Sequence, residues 1–401
     1  MIDYLTWRGD LSFHQDPFNS VDALLLANLS YVNFENIVPT IGEGRITIKD
    51  ACDKYYEIHS AEEIAADRSF IKYAPPLMKA IAESERYKDA YLLNYVSDTD
   101  TLRQIQFAAV EILTSDGASF ISYRGTDDTV IAWKEDCYLS FKTVPAETEA
   151  AIYLQHVIED RDNPVRLGGH SKGGHLAIYA AMNVDSELTD RIETIYNFDG
   201  PGFNQEIMEL ECFKRIQPKI KKYVPQTSLV GTFLYNTTEP TVVRSNEIGV
   251  MQHDPLSWQV EGKEFVTCED TDMISHLFDD TVSGWLDEMD FAARKTFVDD
   301  LFAVLEASGC ENVSMIFKIG IKGTKAMLEQ TTKISSSSSS KIRTLIKMFV
   351  VNVNKLSNNV AKGRLEDNNK VLGLVAEIKG KTENIKNNAV HNETRSDRLE
   401  R

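Results

Sequence analysis

Val165-Arg166-Leu167-Gly168-Gly169-His170-Ser171-Lys172-Gly173-Gly174-His175-Leu176-Ala177 contains the pattern G-x-S-x-G at Gly169–Gly173. Glycine and serine are common, so the five residues alone mean little. Their setting means more. A β-type run (Pro164–Gly168) precedes them, and an Ala-rich helical run follows over Gly173–Met182. That is the strand, sharp turn and helix that a nucleophile elbow requires. A serine on such a turn has strained backbone angles, so its neighbours must be very small. Gly169 and Gly173 meet that need, and Gly174 allows close helix packing. Ser171 is then the candidate nucleophile at a helix N-terminus, where negative charge is stabilised. The Lys172 N–H becomes a candidate oxyanion donor. The bland reading is a glycine-rich turn with a spectator serine.

Outward from this stretch, strand and helix signals alternate. Phe107–Leu113 and Ser119–Arg124 are apolar runs separated by Ser115-Asp116-Gly117, a hairpin signal. Thr148–Ile158 reads as helix, Ile192–Phe198 as strand, Gln205–Ile220 as helix and Thr227–Leu234 as strand. This alternation predicts an α/β fold with a mostly parallel central sheet covered on both faces. Upstream, Asn19 precedes a buried helical run, and Ala61–Ala66 and Leu77–Glu83 suit further helices. Asp272–Ala307 suits one or two amphipathic helices. Ser335–Ser340 is a run of six serines, which predicts a flexible linker. The expected organisation is a helical N-terminal part (1–103), an α/β core with its following helices (104–310), a Ser-rich linker (311–340) and a basic tail, helical or disordered in part (341–401).

The 401 residues carry a net charge of −18. Residues 341–401 hold 13 Lys/Arg against 7 Asp/Glu, which leaves −24 on the body. Such a surface disfavours nucleic acid as a partner. The five cysteines are scattered without C-x-x-C, against both a disulfide framework and a paired-cysteine zinc site. His170 and His175 lack the H-E-x-x-H spacing of a metal site, and neither metal nor cofactor is required by the chemistry below. No signal peptide or transmembrane segment is evident, so the expected location is cytoplasmic. The tail could meet a partner or a membrane surface through its charge, although a solvated extension is the simpler expectation.

A second cluster lies at Tyr123-Arg124-Gly125-Thr126-Asp127-Asp128, with Trp133 and Asp136 beyond it. A strand ending in aromatic-Arg-Gly-Thr, followed by a G-H-S-x-G-G elbow, resembles the class 3 (fungal-type) lipases among the α/β-hydrolases. The resemblance implies that Thr126 supplies the other oxyanion donor. Residues 1–310 look closer still to an uncharacterised bacterial lipase-like family, a domain of unknown function. That similarity rests on Asp16-Pro17-Phe18-Asn19-Ser20-Val21-Asp22-Ala23, the Arg-Gly-Thr segment, the elbow, and Gln252-His253-Asp254-Pro255 with Trp258. It implies an α/β-hydrolase fold and says little of the substrate.

A nucleophilic serine needs a histidine base and an orienting acid, which follow it in the chain order serine, acid, histidine. His253, in a polar loop, is the expected base, with His276 as fallback. Class 3 lipases carry an aspartate after the next-to-last strand, but Ser228 stands at the matching place here. Asp199, in Phe198-Asp199-Gly200-Pro201-Gly202, substitutes for it as in the pancreatic-type lipases, whose acid follows the strand one earlier. Glu239 and Asp254 are held in reserve. The expected activity is hydrolysis of a small-molecule or lipid carboxylic ester through an acyl-enzyme on Ser171. An acyltransferase or thioesterase with the same residues, or an inactive scaffold, are the alternatives.

Overall fold

The computed structural model describes residues 1–66, 70–100, 105–126, 133–134, 137–139, 143–159, 161–236, 238–309 and 320–347. Asp127, Asp128, Asp136, Cys310, His391 and the chain beyond residue 347 lie outside them.

The sheet strands are β1 (Arg45–Thr47), β2 (Tyr91–Asp100), β3 (Ile105–Leu113), β4 (Ser119–Tyr123), β5 (Val165–His170), β6 (Ile192–Phe198), β7 (Ile220–Pro225) and β8 (Thr241–Val243). Two short strands, β9 (Val260–Glu261) and β10 (Glu264–Phe265), form a separate hairpin, and β11 (Thr267–Cys268) closes the far edge of the sheet. The nine-stranded order is β1-β2-β3-β4-β5-β6-β7-β8-β11. From β4 to β8 all neighbours run parallel, while β1 to β4 pair antiparallel. The expected hairpin is β3–β4, with Gly117 at φ 84° in its turn, a conformation that suits glycine.

Side-chain alternation assigns the two faces. On β4, Phe120 points into the N-terminal cluster, while Ile121 and Tyr123 point into the opposite one. One face is covered by the N-terminal residues, including Leu24, Leu25, Phe34 and Met78. Helices Pro145–Ile158, Lys172–Asn183, Glu211–Ile216 and Phe291–Glu306 cover the other. A parallel centre, two covered faces and a strand-to-helix elbow in its middle make this an α/β-hydrolase fold.

Four expectations change. The N-terminal part is not purely helical, since it supplies β1 and β2. Gln205–Ile220 breaks into the short helices Gln205–Met208 and Glu211–Ile216, and Ile220 already begins β7. Thr227–Leu234 is a loop, and the strand lies one step earlier, at β7. The serine run is no flexible linker. Residues 336–347 are helical, and Ser335 Oγ accepts from the Ser338 N–H. Ile342 and Ile346, one turn apart, join the main core.

Candidate active site

Local sterics shape the elbow. Ser171 has φ 57° and ψ −134°, between the end of β5 and the first turn of the helix Lys172–Asn183. A non-glycine residue in that region stores strain, which the surroundings must hold. Any Cβ at Gly173 would overlap the Tyr123 carbonyl oxygen, and one at Gly169 would overlap Gly173. Gly173→Ala is therefore expected to cost about 1–3 kcal/mol as an overpacked contact, read from denaturant unfolding, because the obstacle is backbone. Gly125, in the middle of the Arg-Gly-Thr segment, lies against Ser171: a Cβ added there would be 3.2 Å from Ser171 Cβ. The following residue, Thr126, is buried.

β6 runs beside β5 and carries the acid to the same place. The Ser171 N–H donates to the Phe198 carbonyl at 2.9 Å, and the next residue is Asp199. Asp199 is wholly buried, with φ 53°. Its Oδ1 accepts from Ser228 Oγ at 2.5 Å and from the Gly231 N–H at 3.1 Å. Its Oδ2 meets His253 Nδ1 at 2.6 Å. Three donors thus converge on one buried carboxylate. With Nδ1 giving its proton to Asp199, Nε2 becomes the acceptor nitrogen of the His253 ring.

The His253 loop is tied at several points. Trp258 Nε1 donates to the Gln252 carbonyl at 2.9 Å, and Gln252 Oε1 accepts from the Thr227 N–H at 2.8 Å. Trp133 meets the His253 ring edge to face at 6.4 Å between centroids. His170 lies 4.5 Å from it, centroid to centroid. Its Nε2 donates to the His253 carbonyl at 2.8 Å, and its Nδ1 accepts from the Tyr31 hydroxyl at 3.0 Å. Burial and the adjoining His253 hold the His170 ring well below the usual imidazole range, so it stays neutral and keeps that tautomer. Tyr31 comes from the N-terminal cover, which thereby reaches the site.

In the structure Ser171 bonds Phe198 beside Asp199, Asp199 bonds His253, and Lys172 and Thr126 follow Ser171 and Gly125 in the chain, while the reserves have other settings. His276 is exposed and pairs with Asp270 at 3.1 Å. Glu239 is exposed. Asp254 caps its own turn by accepting from the Leu256 N–H, and burial raises its carboxyl. The Lys172 side chain is fully buried.

Sequence reasoning missed the residues that hold the Asp199 loop. Lys222 Nζ donates to the Gly200 carbonyl at 3.0 Å and to Asn236 Oδ1. His175 Nδ1 donates to the Gly202 carbonyl at 3.0 Å, its Nε2 lies 2.9 Å from Glu147 Oε1, and its ring stacks on Phe203. Nearby, a cleft of about 400 Å³ runs between Asn204–Glu206, Leu234–Tyr235 and the helices Met273–Asp287 and Phe291–Glu306. Among the described residues, no helix is long and apolar enough to cross a membrane.

Against known proteins, a family model named Mbeg1-like matches residues 81–303. No curated protein matches the chain. Among solved structures, that of M37 lipase is similar at 13% identity, over 54% of this chain and 70% of that one, with a TM-score of 0.35. With more than half of its length matched by that model, the chain belongs to the Mbeg1-like family, a lipase-like family.

Proposed function

We propose that the protein is a serine hydrolase of carboxylic esters, of lipase or esterase type, with Ser171 as nucleophile, His253 as base and Asp199 as orienting acid. The observation that carries this reading is the 2.6 Å bond between His253 Nδ1 and Asp199, beside a strained serine at the head of a helix. His253 Nε2 takes the Ser171 proton as Oγ attacks the ester carbonyl carbon. The oxygen of the tetrahedral intermediate is received by the N–H groups of Lys172 and Thr126. His253 then hands the proton to the departing alcohol, and water, activated by the same ring, releases the acid from Ser171. Asp199 keeps the ring in its working tautomer.

The aspartate that the class 3 lipases carry is missing at position 228. Its replacement by a serine bonded to Asp199 supports the hydrolase reading. The charge of −24 on residues 1–340 favours an uncharged ester over an anionic one, and the buried Lys172 does nothing to offset it. The test is labelling of the native protein with a fluorophosphonate, with hydrolysis of a panel of p-nitrophenyl esters alongside. Labelling and turnover in the native chain, both abolished in Ser171→Ala, are expected. A native chain that never labels, or a Ser171→Ala variant that turns esters over like the native one, refutes the assignment.

A further inference from the structure

The loop over residues 199–203 leaves β6 with Asp199 at φ 53°, a conformation that a non-glycine residue keeps only where its surroundings hold it. Its N–H groups are tied to the sheet and to the loop after β7. Asp199 donates to the Tyr223 carbonyl at 2.8 Å, Gly200 to Asn197 Oδ1 at 2.7 Å and Gly202 to the Phe233 carbonyl at 2.9 Å. The Gly202 carbonyl turns the other way. It accepts from His175 Nδ1 at 3.0 Å, and His175 stands on the helix that Ser171 heads, four residues after the serine. The same helix start lies against the loop: a Cβ added at Gly200 would stand 2.4 Å from the Ser171 carbonyl oxygen and 3.1 Å from the His175 backbone nitrogen.

His175 is 1% exposed and engaged on both ring nitrogens. Nε2 lies 2.9 Å from Glu147 Oε1, and the ring stacks on Phe203 at 4.1 Å between centroids. Glu147 is buried too, and its Oε2 accepts from the Val144 N–H at 2.8 Å, closing the first turn of the helix Pro145–Ile158. A buried polar network with its members satisfied rigidifies what it joins.

We propose that His175, oriented by Glu147, is a positioning residue that fixes the Asp199 loop to the helix of Ser171 and so sets the placement of acid relative to nucleophile. This rests on the reading of Ser171, His253 and Asp199 as the reacting set. The bond from the Ser171 N–H to the Phe198 carbonyl registers the elbow just before the strained aspartate. The His175 bond registers the same helix three residues after it. Asp199 is held between these two points, with Oδ2 on His253 Nδ1. Without the second point, the strain at Asp199 relaxes by a rotation that carries the carboxylate off the ring.

The test uses His175→Phe, His175→Asn and His175→Gln in the full chain. Phenylalanine keeps a ring against Phe203 but offers no N–H. Asparagine places an amide N–H where Nδ1 stands and can still hold the Gly202 carbonyl. Glutamine places it where Nε2 stands, toward Glu147. Three readouts are taken: the urea midpoint, kinetics on a p-nitrophenyl ester, and the downfield proton resonance of His253 Nδ1–H, assigned by its loss in Asp199→Asn. Phenylalanine and glutamine are expected to lower kcat about 10- to 100-fold with KM within about threefold of native. Both are expected to move the His253 Nδ1–H resonance upfield as its bond to Asp199 weakens. Asparagine is expected to return the resonance to its native position and kcat to within about threefold of native. A native kcat and a native resonance in the folded phenylalanine and glutamine variants overturn the proposal. Equal losses in asparagine and glutamine, following the urea midpoint rather than the place of the donor, overturn it as well. Should phenylalanine fail to fold, the contrast between asparagine and glutamine decides alone. The resonance needs no turnover, so its failure is distinct from a failure of Ser171 to react.

Discussion

Asp199→Asn is expected to lower kcat by about 10³- to 10⁴-fold with little change in KM. The reason lies in the three donors around the carboxylate. Ser228 Oγ and the Gly231 N–H both point at Oδ1, and they would hold the asparagine carbonyl oxygen there. The new NH2 group must then face His253 Nδ1, where Oδ2 now accepts. A donor opposite Nδ1 forces the ring proton onto Nε2, which removes the acceptor that the Ser171 hydroxyl needs. Flipping the amide would instead leave two donors against an NH2 group, which costs about as much as a buried unsatisfied pair. Steady-state kinetics on an ester that the native chain hydrolyses measures the loss. Turnover within a few-fold of native would move the acid elsewhere and leave the elbow standing.

The parts of this arrangement that could be read from the chain are those written in consecutive residues. The elbow depends on glycines within four positions of Ser171, so its geometry follows from local sterics. The β3–β4 hairpin is marked by its Asp-Gly turn, and the helix Ser20–Ala27 by Asn19, which forms a full capping box with Asp22. The place of Asp199 at a strand end is legible because Ile192–Phe198 reads as a strand and ends one residue before it. β7 is not, because Lys222 interrupts the alternation with an inward-facing charge, while the apolar run Thr227–Leu234 looks more like a strand than β7 does. That run cannot pair in the sheet: the Thr227, Ser228 and Gly231 N–H groups go to Gln252, Ser275 and Asp199. The serine run misleads for a similar reason. Composition suggests a linker, whereas a serine cap followed by Ile342 and Ile346 four residues apart carries the signal of a helix.

Contacts across long stretches of chain left no such mark. Tyr31 and His170 lie 139 residues apart in sequence, and no spacing rule joins them. The bond matters because it links the N-terminal cover to the ring that holds the His253 carbonyl. How firmly that cover is held therefore bears on the site, and the answer turns on one buried ion pair.

Asp22 and Arg86 are both completely withdrawn from water at their side chains. Arg86 Nε and Nη2 grip the two carboxylate oxygens at 2.9 and 2.6 Å, and Nη1 donates to the carbonyls of Leu11 and Asp16. Asp22 also accepts from the Tyr4 and Tyr87 hydroxyls and from the Asn19 N–H. Burial and the Asp22 charge push both tyrosines up, so they remain donors across the ordinary pH range. Removing one ion leaves the other buried without its countercharge. Arg86→Met is accordingly expected to destabilise the fold by about 3–5 kcal/mol in urea unfolding. The double variant Asp22→Leu/Arg86→Met should lose less than the sum of the single changes, because it leaves no unpaired charge. An additive double variant would mean that the residues act independently and that the pair does not hold the cover. If it does hold it, Arg86→Met should lose ester turnover at a lower urea concentration than global unfolding, since loosening the cover withdraws Tyr31 from His170 and frees the loop that carries His253. Loss of turnover and loss of fold at the same urea concentration would show instead that the cover and the sheet melt as one unit.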